Sequence, residues 1–427
     1  MNNNSGERAY DLAKSLWPLN RTLISKDTSK TISVLLSGFE KYSKVHKFRS
    51  GLKFGEWEIP KSWEVNAAYI ADVSGQRVID WKENNLHLLS YSQPFNALCT
   101  NEELKKHLYF DLQTPDWIPY RTSYYENNWG FCVSKRQFDN LNDTHYKVFI
   151  DSEFIDSELE IGEILIPGMS NAEIVFTTYI CHPSMANNEL SGPVLLNSIA
   201  SNLIQKKNYY TYRFLFMPET IGSIVYINTH LEALKKNVIA GFVVTCVGDP
   251  KKWCYISSRN GNTLADRIGL RVLENLSKSY TKYTFLDRGS DERQFCSPLV
   301  DLPFCSITRS KYGTYPEYHT SGDNMDFISA NALQESIEYY WNLITEFELH
   351  RVYKSNSIGE PMYSRHGLRN PIGAQDLDRS SKLFSDIVAF SDATRDSKEL
   401  ATLLNVSEDI IKLYAEELVI RGILKKY

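Results

Sequence analysis

Apolar positions along this chain change rhythm repeatedly, and each change predicts a different kind of element. Over residues 1 to about 48 they recur at helical spacing, at Leu12, Leu16, Ile24, Ile32, Leu35, Leu36 and Phe39. From 50 to about 145 the period shortens. Gly55–Pro60, Ala67–Asp72 and Arg77–Trp81 alternate apolar with polar residues between polar turns, the pattern of short antiparallel strands. Between about 146 and 350, buried-strand runs alternate with helical stretches. Ala172–Ile180 (AEIVFTTYI) precedes a helix over Pro193–Ile204, and Tyr212–Met217 one over Ile221–Leu234. Ile239–Val247 precedes Asn262–Leu276, and Leu302–Thr308 precedes the long Asn331–Leu349. This alternation predicts an α/β fold with a mostly parallel sheet covered on both faces.

A Gly/Pro/Arg-rich linker is expected over 351–377. Beyond it, Ser397–Leu404 and Glu408–Arg421 read as helix–turn–helix with Gly422 as a C-cap, resembling a winged-helix module over 378–427. The expected organisation is an α/β domain of residues 1–48 and 146–350, an inserted β-rich domain over 49–145, the linker, and this tail. Leu403, Leu404, Ile410, Leu413, Leu418 and Ile423 are expected to form the tail's own core.

The 427 residues are 42% hydrophobic and 23% charged, which supports an ordinary core and excludes wholesale disorder. Lys and Arg number 47 against 52 Asp and Glu, a net charge of −5, which argues against a chain-wide nucleic-acid binder. The tail repeats the point. Glu408, Asp409, Glu416 and Glu417 outnumber Lys412 and Arg421 on its second helix, so no nucleic-acid partner is expected and the tail reads as structural or dimerising. The longest apolar run, Val238–Val247, is about half a bilayer span, and no secretory signal is visible. A soluble cytoplasmic protein with no membrane partner is the expectation. Seven scattered cysteines without a CxxC suggest reduced core thiols. Tyr120, Arg121, Tyr124, Tyr125 and Trp129 form either a small core or a lid over a cleft, and exposed aromatics are compatible with a homo-oligomer.

Ligands of open α/β sheets bind beyond the carboxyl ends of the strands. Those positions hold Cys181-His182-Pro183-Ser184 and Asn187–Gly192, then Pro218–Gly222, Thr245–Asp249, Arg288–Glu292 and Tyr318–Asp323. Two histidines among carboxylates are a donor set that suits zinc. Each residue also has a structural reading: a hydrogen-bonded histidine, a carboxylate at a helix N-terminus for Glu219, a turn or cap for Asp323. Cys181 beside His182 suggests a thiol nucleophile, but neighbours on a strand point to opposite faces. No GxSxG, P-loop, GxGxxG or HExxH occurs.

The set His182, Asn188, Ser191-Gly192, Glu219-Thr220, Gly222, Tyr318-His319-Thr320, Asp323 and Asp326 resembles motifs of the zinc aminopeptidase clan, which includes bacterial leucyl aminopeptidases and glutaminyl cyclases, and the strings IPYRTSYYENNWGFC, ICHPSMANNELSGP, PETIGS, SRNGNTLADR, GSDERQFCSP and YPEYHTSGDN resemble signatures of one branch near it. The closer resemblance is to aminopeptidase-like proteins encoded near bacterial surface-polysaccharide genes, with an inserted domain of unknown function and a C-terminal winged helix. The resemblance implies His182, Asn188 and His319 as metal ligands and Glu219 as general base. Asp323 and Asp326 match the motif after the last histidine and shape its loop. Three departures weigh against two metals: Thr220 replaces a ligand Glu, Thr245 a ligand Asp, and Ser184 the Asp that orients the first histidine. One zinc, or none, is the better reading. Asp291 or Glu292 could add an oxygen ligand, and Tyr318 or Arg309 could steady an oxyanion. The implied function is single-zinc hydrolysis of a small peptide or amide. The alternatives are a degraded site kept for binding or scaffolding, and a one-metal enzyme acting on a non-peptide amide or modified sugar.

Overall fold

The computed structural model describes residues 4–368 and 379–427; residues 369–377 of the expected linker and residue 378 of the tail lie outside the described residues. Eight strands make the central sheet: β1 (Ser43–Arg49), β2 (Glu158–Ile166), β3 (Glu173–Tyr179), β4 (Thr211–Met217), β5 (Val238–Val243), β6 (Trp253–Ile256), β7 (Tyr280–Tyr283) and β8 (Phe304–Thr308). They lie side by side as β1-β2-β4-β3-β5-β8-β6-β7. The block β4-β3-β5-β8 is parallel, as the sequence leads one to expect. The flanks differ: β1 and β2 join antiparallel, and β6 runs antiparallel to β8, so the sheet is mixed. Short, partly polar flanking strands such as Tyr280–Tyr283, whose middle residues face solvent, carry little periodicity to read.

β3 is buried along its whole length, and side chains alternate between two cores. Phe176 stacks between Phe214 and Phe242, 5.4 Å from each, beneath α1 (Ser5–Leu16), α2 (Lys26–Leu36), α3 (Ser191–Leu203), α5 (Leu264–Asn275) and α6 (Ala330–Leu349). Val175 and Leu215 point the other way, towards α4 (Ile221–Asn237) and a separate four-stranded antiparallel sheet. That second sheet orders its strands as Arg77–Asp80, Ser62–Ala71, His145–Ile155 and Phe95–Thr100.

The chain leaves β3 through α3 to reach β4 on one side, whereas β5 and β8 lie on the other. Strand order therefore reverses at β3, and a crevice opens beyond its carboxyl end. Gly192 lets α3 begin close to that crevice, because a Cβ there would sit 2.2 Å from the Val244 carbonyl oxygen.

At the C-terminus, helices Arg379–Phe390, Ser397–Leu404 and Glu408–Ile420 pack with a sheet in which Val352–Ser355 lies between Asp392–Asp396 and Leu424–Lys426. The buried stripe of the last helix is Ile411, Ala415 and Leu418. Leu418 and Ile423 are core as expected, but Leu403, Ile410 and Leu413 are exposed. Two apolar stripes run along that helix, and a three-helix unit this small covers only one of them.

An ionic seam docks this unit. Arg271 Nη1 lies 2.7 Å from Asp396 and 3.2 Å from Glu346, and His350 reaches Glu408 at 2.7 Å through Nδ1 and Glu346 at 3.4 Å through Nε2. The hydrogen bond with His350 leads in drawing Glu346 down to about 2. Burial opposes the same shift at Glu408, but bonds from His350, Ser397 and Lys412 prevail and bring it to about 2. Burial likewise lowers His350, and the two carboxylates outweigh it, raising the imidazole above its ordinary 6.5. The raised histidine stabilises fully below 6.5 and ceases to as pH climbs through its folded value. The depressed carboxylates stabilise above their ordinary 4.5 and cease to as pH falls towards 2. Docking is therefore tightest from about pH 5 to 6.5. Limited proteolysis of the C-terminal unit should accelerate at alkaline pH, and His350→Gln should remove that alkaline limb. Equal protection of the unaltered chain at about pH 6 and pH 9 would contradict the assignment.

Candidate functional site

The crevice beyond β3 is built from loops under backbone strain. Ser184, Thr220, Cys246 and His319 all have φ between +51° and +65°, a region costly for any residue with a Cβ and most of all for a β-branched threonine. Each sits at the carboxyl edge of the parallel block. Asp323 fixes the first loop by accepting from the backbone N–H groups of Ala186, Asn187 and Asn188 at 3.1, 2.6 and 2.9 Å. Burial pushes Asp323 up to about 7 against those three bonds. Asp326, three residues further on, is exposed.

His182 and His319 come together with ring centroids 5.0 Å apart. Glu189 lies directly against Nδ1 of His182, while Nε2 of that ring is 3.8 Å from Glu219 Oε2. A carboxylate on Nδ1 places the proton there and leaves the lone pair on Nε2. Burial, aided by Arg21, holds His182 neutral with its pKa lowered to about 3, and burial does the same for His319. His319 Nε2 and Glu189 Oε2 are buried and have no hydrogen-bond partner among the described residues. Donor atoms of Cys181, His182 and Glu189 lie within 4.8 Å of one another. Neutral imidazoles, unpartnered buried lone pairs and a buried carboxylate are what a zinc ion needs, so the residues fit one.

The remaining expected residues divide. Glu219 faces His182, with its backbone N–H bonded to Cys181 Sγ at 3.2 Å and Arg293 Nη2 4.0 Å from its carboxylate. Burial, then Asp291 and Glu189, raise its pKa well above the ordinary value. Tyr318 stacks on His319 at 3.9 Å. Asp291 supports the site from behind, accepting from Thr220 N–H at 2.8 Å and Ser223 Oγ at 3.0 Å, and burial raises it to about 6. Glu292 is committed to the Gly289 and Ser290 amides and the Tyr312 hydroxyl. Arg309 is not brought to the site, because its guanidinium bonds Glu335 and the Lys251 carbonyl and lies over Trp253. Asn188 also turns away. Its Oδ1 faces the Tyr179 hydroxyl and Cys246 Sγ at 3.5 and 3.7 Å, and Nδ2 points at Glu189. Glu189, one residue on, is the side chain of that loop that reaches His182.

Three further residues contribute, of which Arg21 alone carries no sequence signal of its own. Cys181 Sγ lies 3.6 Å from His182 Nδ1, because β3 has ended at Tyr179 and strand alternation no longer separates the two side chains. Burial pushes that thiol up, away from nucleophilic use. Arg21 is fully buried behind the site, donating to the Leu16 and His182 carbonyls at 2.6 and 3.0 Å. Tyr120 arrives from the segment beside the second sheet. Its N–H donates to the His319 carbonyl at 2.7 Å, Ser321 N–H donates to the Ile118 carbonyl at 2.8 Å, and its ring stands edge-on to both histidines. Gly322 admits Trp117, whose ring would lie 2.8 Å from any Cβ there.

Beside Glu219 lies a cleft of about 750 Å³, counting space open to solvent, lined by Leu23, Trp57, Tyr124, Tyr125, Ile221 and Arg293 with the site residues. Among the described residues no helix is long and apolar enough to cross a membrane.

A Clostridium acetobutylicum protein described as a polysaccharide biosynthesis protein with an aminopeptidase-like domain is 40% identical over 370 residues, 86% of this chain and 84% of its own. A crystal structure of a peptidase-like protein from the same organism superposes with a TM-score of 0.80 at 37% identity, covering 100% of this chain and 98% of that one. The zinc aminopeptidase BSAP from Bacillus subtilis superposes with a TM-score of 0.58 at 14% identity, over 80% of this chain and 94% of that one, which is a likeness of fold. The fold is thus that of the aminopeptidases, and residues 10–350 match the family described as a domain of unknown function, DUF4910, to which this chain belongs.

Proposed function

We propose that the protein is a single-zinc hydrolase of an amide or peptide bond. The observation that carries this reading is the pair of buried histidines, His182 facing Glu219 and His319 with Nε2 left unpartnered among the described residues. His182 and His319 would hold the ion, and Glu189 would orient His182 and balance charge. The ion would polarise a carbonyl and acidify water. Glu219 would take a proton at Oε2 and return it to the leaving nitrogen. Tyr318, stacked on His319, would offer its hydroxyl to the developing oxyanion. The Tyr120 segment would cap the site, in a role suited to an inserted lid over residues 49–145, with the C-terminal helices as a winged-helix module in a structural role. The relative's name suggests a cellular setting in polysaccharide biosynthesis.

A second reading has one observation in its favour. Thr245 Oγ1 donates to the Asn188 carbonyl at 2.7 Å, and Asn188 Oδ1 faces Cys246, so that flank of the site offers no carboxylate to an ion. A fold retained for binding would look like this.

Zinc analysis separates the two. The zinc-replete chain should hold about one ion, and His319→Ala should hold almost none while its far-UV spectrum is unchanged. A wild-type chain without stoichiometric metal under those conditions would refute the hydrolase reading and leave the binding one.

A further inference from the structure

We propose that a second cleft, beyond Tyr125, binds the saccharide portion of a substrate whose amide lies beside Glu219; this rests on the amide-hydrolase reading. The two clefts share one wall. Tyr125 lines both, and so do neighbouring residues of one strand, with Trp57 facing the first cleft and Glu58 the second. The Tyr125 hydroxyl donates to the Glu58 carbonyl at 2.5 Å, fixing the ridge between the two clefts. Tyr125 adopts φ +63° to reach that position, a strained backbone held for a side chain that remains 62% exposed. The second cleft measures about 790 Å³, also counting space open to solvent.

Its chemistry selects the ligand. Phe154 and Tyr125 offer aromatic faces, and Gln93, Glu126 and Asn127 offer side-chain donors and acceptors that are unengaged among the described residues. The charges nearby are largely paired: Lys61 with Asp156 at 3.2 Å, Lys53 with Glu58 at 3.5 Å. Among the described residues, no unpaired cation lines the cleft to receive a phosphate or carboxylate. An extended peptide would need open backbone groups. Here the N–H groups of Gly51, Ile59, Gln93, Ser123 and Glu126 already bond to carbonyls of the chain. A sugar ring asks for something else. Its C–H face lies on an aromatic ring, and each rim hydroxyl both donates and accepts, as a side-chain amide does in return.

Saturation-transfer NMR on the full chain, stripped of metal, tests this with three neutral probes: tri-N-acetylchitotriose, maltotriose and mannotriose, with tetraalanine as the peptide comparison. At least one triose should receive saturation. Gln93→Ala and Asn127→Ala, both with unchanged thermal midpoints, should each weaken its binding roughly three- to tenfold. Silence from all three trioses would overturn the proposal. So would binding indifferent to both substitutions, or tetraalanine as the probe whose binding they weaken. Metal and turnover play no part in the readout, so an inactive enzyme that binds sugar refutes only the hydrolase reading, and an active one that ignores sugar refutes only this one.

Discussion

Glu219→Gln should lower turnover of an amide substrate by roughly 10²- to 10⁴-fold and leave zinc content at the wild-type level. The substitution keeps the side chain's size and removes only its capacity to accept a proton. Its place is well defined: the backbone is turned by Thr220 at φ +65°, anchored by the Glu219 N–H to Cys181, and the carboxylate stands 3.8 Å from His182 Nε2. Burial and the nearby Asp291 and Glu189 raise its proton affinity, which suits a group that must hold a proton between two steps. Native turnover in the Gln variant would show that another group is the base. Loss of zinc along with activity would show that Glu219 is a ligand instead. Both outcomes read directly from metal analysis beside a kinetic assay.

Arg21→Met should cost about 3–5 kcal/mol of stability, the penalty for removing one side of a buried charge arrangement. Arg21 is fully buried, spans from the end of α1 to the His182 carbonyl, and is the cation that opposes the buried Glu189. Burial alone is enough to lower its pKa to about 10. Removing it deletes the charge that favours ionised Glu189, whose carboxyl burial already pushes well above its ordinary value, and frees two carbonyls. Lysine is a poor replacement, since one ammonium does not reproduce a planar fork reaching two acceptors. Chemical denaturation measures the loss. The double variant Arg21→Met with Glu189→Gln should recover part of it, because the carboxyl that Arg21 opposed is then gone. A single variant within about 1 kcal/mol of wild type would mean that the arginine is not paired across the site.

The parallel block was readable because its strands are buried along nearly their whole length, and β3 and β4 stand out as apolar-rich runs each followed by a helix, α3 and α4. Their carboxyl ends then located the site, and His182, Glu219, His319 and Asp323 meet there. Asn188 against Glu189 was a choice between neighbours in one loop. Which of the two reaches His182 follows from backbone turns at Ser184 and at the Asp323-bound amides, which leave no trace in residue spacing. Arg309 illustrates the opposite failure: it follows β8 directly, yet Glu335 on α6 draws it away. Arg21, and the particular contact that Tyr120 makes, were illegible for a third reason. Both contacts join segments far apart in the chain, and nothing local at either residue announces the partner.

The crevice has two sources of side chains. Reacting groups come from loops at the carboxyl ends of the parallel strands, and the walls that a substrate would touch come largely from the strand at Trp57–Glu58 and the segment at 118–127. Backbone ties across the front join Ile118–Tyr120 to His319–Ser321. Loops on a rigid scaffold diverge more freely than the scaffold itself. A lineage carrying this fold can therefore exchange the residues around 57–61 and 121–127 for others, and so change what it recognises, while the histidine pair and the sheet beneath it stay as they are.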